Sequence, residues 1–187
     1  NGQKDIKDRI LRAVGNPKDR FSEDGLRIMR LFRFVSQLEF MIDPATLQAA
    51  FDCKEILAKV SKERTHDEFV KMLMSKNPAP AFMYMEKVEI LPYLSKHLQE
   101  AVGVKQNGSH EYVVYEHLVR SMQHAADKNM SLELRLAALL HDIGKPPTRR
   151  WSEENNDYTF YGHEVVGAKI TKNILNDLKF SHETVEK

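Results

Sequence analysis

The sequence predicts an all-α protein. Two observations carry that prediction: almost every periodic segment spaces its apolar residues by three or four, and no run alternates β-branched with polar residues. A third concerns organisation. The 187 residues suffice for one sizeable core or two small ones, and six of the eight histidines fall late, at positions 110, 117, 124, 141, 163 and 182. The expected division is a first unit over 1–76 and a second over 77–187, with the histidine-rich core at about 110–187.

Taken in order, Ile6, Ile10, Leu11 and Val14 form one stripe and predict a helix over 6–14, broken by Gly15 and Pro17 in "GNPKDR". Ser22 is the expected N-cap of the next helix, with Glu23 and Asp24 in its first turn, where the helix dipole favours acids. Leu26, Met29, Phe32 and Val35 are its buried face, and Arg27, Arg30 and Arg33 repeat every third residue beside them. Asp43 and Pro44 open a short helix over 45–51. "SKERTHDEFVKMLMSK" reads as a charged helix ending near Lys76, and "NPAPA" as a hinge. A short helix from about Ala81, a turn near Pro92 and a loop in "VGVKQNGSH" follow. Then come three helices, of which "LRLAALLHDIGKP" is the most apolar; Gly144 and Pro146 are expected to end it.

Charge and cysteine usage exclude several classes. Lys and Arg number 28 against 27 for Asp and Glu, a net of +1, so any polyanionic partner must be met by a local patch. The lone Cys53 cannot close an internal disulfide, and no apolar run approaches the ~20 residues that span a bilayer. The start "NGQKDIKDRI" lacks the apolar stretch of a secretory signal. A cytoplasmic protein with no membrane partner is expected. With no initiator methionine and an end inside a helical pattern, the sequence also reads as a piece of a longer chain. Nothing in it specifies an oligomeric state.

Chemistry concentrates in two places. His141 and Asp142 are adjacent at a helix end. Neighbours on a helix point about 100° apart, so the end must turn for both to meet one ion. Imidazole with carboxylate suits a divalent metal, and His117 and His163 on the flanking helices are the candidates for further ligands. The plain alternative is a set of surface or satisfied core histidines, the reading given to His124, His182 and His110. The spacing resembles the HD superfamily of metal-dependent phosphohydrolases. That resemblance implies His117, His141 and Asp142 as ligands of a divalent metal, His163 as an additional histidine, and Lys145 near a substrate phosphate. The family's final Asp has no convincing match, Asp177 lying too close to His163 in sequence.

The second place is "RFSEDGLRIMRLFRF". Asp24 and Arg27, three apart on one expected helix face, present a hydrogen-bond acceptor beside a donor. Cytosine and adenine offer an amine beside a bare ring nitrogen, whereas guanine and uracil offer a carbonyl beside a ring N–H. The pair therefore suits C and A. The plain alternative is an ordinary intrahelical pair of Glu23 with Arg27. Three arginines on one ridge exceed that need and suit phosphates.

"GQKDIKDRILRAVGNPKDRFSEDGLRIMRLFRF" resembles the end of the head and the start of the neck in class II tRNA nucleotidyltransferases, the CCA-adding enzymes and their bacterial poly(A) polymerase relatives. The motif "EDxxR" is Glu23 to Arg27, and the resemblance implies that Asp24 and Arg27 read the base of incoming CTP or ATP, with Arg30 beside them. In "SKERTHDEFVKML", Glu63 and Arg64 are implied as supports of the reading helix. The expected fold is thus a helical neck followed by an HD-type helical body, acting on the tRNA acceptor end. The family's transfer step uses Mg2+ held by carboxylates of the head. No such arrangement precedes residue 1, so no catalytic residue for transfer is expected here. Two alternatives stand beside this reading. One is an HD phosphohydrolase acting on phosphomonoesters or cyclic phosphodiesters. The other is a non-catalytic RNA-binding helical module, with Trp151, Tyr158 and Phe160 as a surface or as packing.

Overall fold

The computed structural model describes residues 2–108 and 111–186. His110 lies outside the described residues. Helices dominate, as expected, in the order α1 (Gly2–Asp8), α2 (Pro17–Glu23), α3 (Leu26–Leu38), α4 (Pro44–Asp52), α5 (Lys62–Leu73), α6 (Ala79–Lys87), α7 (Leu91–Leu94), α8 (Lys96–Glu100), α9 (Val114–Asp127), α10 (Leu132–Leu140), α11 (Lys145–Thr148), α12 (His163–Asp177) and α13 (His182–Glu186). A 3-10 turn over Lys54–Lys59 joins α4 to α5. Two small sheets interrupt the helices. Strand β1 (Ile10–Leu11) pairs in parallel with β2 (Met41–Ile42), and β3 (Arg150–Ser152) pairs antiparallel with β4 (Asp157–Thr159). No described helix is long and apolar enough to cross a membrane.

The first helix is shorter than its apolar stripe suggests. Arg9 takes a left-handed backbone, φ 55°, which ends α1. Ile10 and Leu11 then pair with Met41 and Ile42, partners thirty-one residues away that no local period reveals. The next boundary also moves. Asn16 caps α2 by accepting from the Lys18 amide, with Pro17 at the first helical position, so Ser22 falls inside a helix rather than at a cap. The long helix α3 starts at Leu26, and Asp24 stands in the extended link between the two. Gly25 makes this link possible, because a Cβ there would lie 2.8 Å from the Ile56 side chain. Further on, Pro92, and then Pro146 with Pro147, sit in the first turns of α7 and α11, opening those helices instead of closing others.

The expected face of α3 is buried: Leu26, Met29, Phe32 and Val35, with Ile28 and Leu31, join one apolar core that extends to Leu178 and Phe180. Helices α5 and α6 pack on α3, and α10 lies between α9 and α5. At that junction Arg135, 2% exposed, donates from Nη1 to the carbonyls of Leu73 and Ser75 at 2.7 Å each, and from Nε to Met130 at 3.0 Å. It satisfies the carbonyl of Leu73, the last residue of α5, and that of Ser75 just beyond it; the helix stops at Leu73, short of the expected Lys76.

Replacing Arg135 with Met keeps the stem and removes the donors, leaving buried carbonyls unpaired. The unfolding free energy is expected to fall by about 3 kcal/mol, read from urea unfolding followed by circular dichroism. An unchanged midpoint would show that these carbonyls find other donors.

Candidate functional site: an acid–arginine turn and a histidine–aspartate cluster

The first candidate site is the turn between α2 and α3. Asp24 Oδ1 accepts from the Leu26 amide at 3.1 Å, capping α3, and Oδ2 accepts from Arg64 Nη2 at 2.8 Å across forty residues of sequence. Burial by itself would raise this carboxyl. Arg64 and the Leu26 amide outweigh it and hold the group below its ordinary value of 3.8. Each oxygen still has a lone pair to offer.

Arg27 is turned away from Asp24. Its Nη1 donates to Glu23 Oε2 at 2.6 Å and to the Arg20 carbonyl at 3.0 Å; the partners are those of the plain alternative, but they meet across the link from α2 to α3 rather than within one helix. Arg30 and Arg33 both reach Glu68 of α5, Arg30 at 3.5 Å. Glu68 is buried, so the arginine ridge is compensated from inside the fold. Nothing in its own segment marks Glu68 out from Glu63, which is exposed; the difference is the α3–α5 packing. Arg27 and Arg30 line a groove of ≈ 540 Å³ with Arg12, Arg20, Phe21 and Phe34.

The second site is the turn after α10. Leu136, Leu139, Leu140 and Ile143 are buried and anchor it, leaving His141 at the helix end and Asp142 buried beside it. His117 comes from α9 and His163 from the first residue of α12. His117 Nε2 and His141 Nε2 are 3.0 Å apart, and Asp142 Oδ2 lies 3.4 and 3.3 Å from them. Donors sharing one ion at ~2.1 Å with angles between a right angle and the tetrahedral value stand about 3.0–3.4 Å apart. These three residues therefore fit a divalent metal. His141 Nδ1 lies 3.0 Å from the Ala138 carbonyl, which places the proton there and leaves Nε2 as a donor of its lone pair.

His163 faces the other carboxylate oxygen, with Nε2 3.4 Å from Asp142 Oδ1, and its Nδ1 lies 2.8 Å from the Phe160 carbonyl. It stands beside the three-donor group rather than within it. Asp177 ends the fifteen-residue α12 that His163 begins, roughly 20 Å away along the axis, and takes no part. Lys145 is buried, donating to Asp142 Oδ2 at 2.8 Å and to Gln106 Oε1 at 2.6 Å. Burial would push the Asp142 carboxyl up, but His141 and Lys145 prevail and hold it well below the carboxylate range. Asp142 in turn raises the His141 imidazole above its ordinary value. Lys145 and His163 open onto a pocket of ≈ 590 Å³ walled by β4 and Tyr161.

Sequence reasoning misses Gln106 and the glycine pair that lets the elements meet. A Cβ on Gly144 would lie 2.1 Å from the His163 carbonyl and 2.6 Å from the Gly167 amide, so only glycine allows α12 this close. The spacing of Gly167, four residues after His163 on the same helix face, is the one local signal of that contact.

Helices around a buried His-Asp turn define an HD-type helical protein, and residues 114–187 match the HD domain family. Residues 39–102 match a second family, described as the probable RNA and SrmB-binding site of polymerase A. An A-adding tRNA nucleotidyltransferase of Deinococcus radiodurans is 36% identical over 100% of this chain and 44% of its own length. A CC-adding tRNA nucleotidyltransferase of Thermus thermophilus is 32% identical over 99% of the chain and 44% of its length. Among solved structures, a tRNA-processing enzyme superposes with a TM-score of 0.62 at 16% identity, over 99% of this chain and 46% of that one. A Bacillus stearothermophilus CCA-adding enzyme in complex with CTP gives 0.50 at 23%, over 99% and 50%. Over essentially its whole length the chain is similar to members of the tRNA nucleotidyltransferase family. It spans less than half the length of these two curated relatives.

The Asp24 geometry has a pH consequence. A carboxyl whose folded pKa is depressed contributes stability that is complete above its unfolded pKa and is lost as pH falls through the folded one. Carboxyl-detected NMR should place the Asp24 midpoint below 3.8, and Arg64→Gln should move it upward. A wild-type midpoint above that value would mean that Arg64 does not hold the carboxylate.

Proposed function

We propose that this chain is the base-reading and RNA-holding part of a tRNA nucleotidyltransferase that adds C and A to tRNA 3′ ends. In this reading residues 1–76 form the neck and 77–187 the HD-containing body. Asp24 and Arg27 read the base of CTP or ATP, Arg30 lies beside them, and Glu63 and Arg64 support the turn. The observation that carries it is the Asp24 carboxylate, kept ionised by Arg64 and the Leu26 amide with a free lone pair on each oxygen. An ionised carboxylate only accepts, so it takes the amine of cytosine or adenine and rejects the ring N–H and carbonyl pair of guanine or uracil through its carbonyl. Arg27 supplies the complementary donor once it leaves Glu23. That exchange is easy, because a solvent-exposed ion pair is weak. The names of the relatives support the same activity. Nucleotidyl transfer and its Mg2+ belong, in this reading, to the part of the relatives that this chain does not span. The protein would work in the cytoplasm, with tRNA.

The test uses a polypeptide that carries this chain at the full length of its relatives, with tRNA ending before the CCA and each labelled nucleotide in turn. Incorporation of C and A alone is expected. Asp24→Ala should erode the preference over G and U by about a hundredfold, since a site built to hydrogen-bond a group loses its selectivity with the partner. Full selectivity in Asp24→Ala would sink the template reading.

The histidine–aspartate cluster favours a second, compatible reading as a divalent-metal phosphohydrolase centre. His117, His141 and Asp142 would hold the ion, which when bound polarises phosphoryl oxygen and acidifies water. Lys145 and His163 face the adjoining pocket, where they suit a phosphate ester. Addition of Mn2+ is expected to raise the unfolding temperature, equivalent to about 2.7 kcal/mol at a hundredfold excess over its dissociation constant. Asp142→Ala should abolish both that shift and bound metal measured by elemental analysis. Equal metal content in wild type and variant would remove the assignment.

A further inference from the structure

The β3–β4 hairpin carries an aromatic and basic face that neither reading uses. Residues two apart near a strand share a side, so Arg149 and Trp151 lie together, and the register sets Trp151 opposite Tyr158. Their side chains form a stack. The Arg149 guanidinium carbon lies 3.5 Å from the Tyr158 ring centre, and Trp151 meets the same ring edge-on at 5.2 Å between centroids. Tyr158 is thereby covered, whereas Trp151 is 54% exposed and offers an open indole.

The charges nearby are uncommitted. Arg27, Arg30, Arg33 and Arg64 each hold a carboxylate, but Arg149 makes no ion pair among the described residues. Its Nε is buried and finds no acceptor. Among the described residues Arg150 donates to the carbonyls of Pro147 and Arg149 and to no carboxylate. Across the hairpin, Asp157 accepts from the amides of Gly108 and Tyr158 and so is not turned to either arginine. The remaining acids, Glu153 and Glu154, sit in the turn beyond Ser152.

A guanidinium held flat on a tyrosine beside an exposed indole matches the needs of an unpaired nucleotide, whose base has a free face and whose phosphate is anionic. A duplex hides its base faces in the stack and offers phosphate alone. An acidic peptide would satisfy Arg149 but leave the indole without a planar partner.

We propose that this hairpin face is a stacking platform for an unpaired RNA segment, with a base on Trp151 and a phosphate on Arg149. That the strand is RNA rests on the tRNA reading above; the surface itself does not depend on Asp24 or on the metal cluster.

Trp151 is the only tryptophan, so its fluorescence reports on this surface alone. Single-stranded oligoadenylate of about eight nucleotides, within the usual span of a single-strand site, is expected to quench it saturably and less so as salt rises. Arg149→Ala should weaken binding about tenfold, and Trp151→Leu, followed by anisotropy of end-labelled RNA, should do the same, since one stacked base is worth ~1–3 kcal/mol. Circular dichroism of both variants should match the wild type.

RNA binding without quenching in the wild type, or unchanged affinity in Trp151→Leu, would overturn the proposal while leaving the tRNA reading to its own nucleotide-addition assay. Equal quenching by duplex RNA or polyphosphate would reduce the surface to charge and overturn it. Quenching by a poly-glutamate peptide but not by RNA would assign the face to a protein partner instead.

Discussion

A single buried guanidinium joins the supports of both candidate sites. Arg135 belongs to α10, whose end carries His141 and Asp142, and it grips the carbonyl of Leu73 at the end of α5 and that of Ser75 just beyond. Helix α5 in turn holds the Asp24 turn through Arg64 and the arginine ridge through Glu68. One helix therefore braces one site with its first turn and is anchored beneath the other by its last. A buried arginine suits this junction because its planar fork reaches two carbonyls at once and stays charged when desolvated. Apolar packing around it sets the distance between helices, but packing alone would leave these carbonyls without donors.

The two sites use ionised carboxylates in opposite surroundings. Asp24 is part-buried, holds one arginine and one amide, and keeps lone pairs facing outward. Asp142 is buried, its two oxygens facing three imidazoles and a lysine ammonium. The first arrangement keeps an acceptor available to something that arrives. The second brings electron-pair donors together at the spacing a divalent cation would need and closes the remaining side with Lys145 and Gln106. Each carboxyl is held ionised against the cost of burial, by Arg64 from across the fold with the Leu26 amide for Asp24, and by His141 and Lys145 from within three residues for Asp142.

Where local reading of the chain fails, the failures share a cause. The stripe from Ile6 to Val14 is genuine, yet its second half pairs as a strand because Met41 and Ile42 come alongside. Asp24 and Arg27 stand three apart, yet they face different partners, because the helix begins after Asp24 and Gly25 lets Ile56 press into the turn. The ridge of three arginines looks uncompensated from its own segment, and Glu68, thirty-five residues beyond Arg33, answers two of them. By contrast the His141–Asp142 turn was legible, because both residues and the glycine that follows lie within one helical turn of each other.

The sequence by itself determined the helical class, the buried face of α3, and the two places where candidate functional residues gather, with their residue types. These are properties of spacing and composition, which act over one or two helical turns and need no partner segment. Only the tertiary structure decided which charges meet: Arg64 with Asp24, Glu68 with the arginine ridge, Gln106 with Lys145, and His117 and His163 with Asp142. Each pair joins segments at least twenty residues apart. Their distance is set by how apolar faces pack, and hydrogen bonds and ion pairs fall off within a few ångströms, so no pattern along the chain can reveal them.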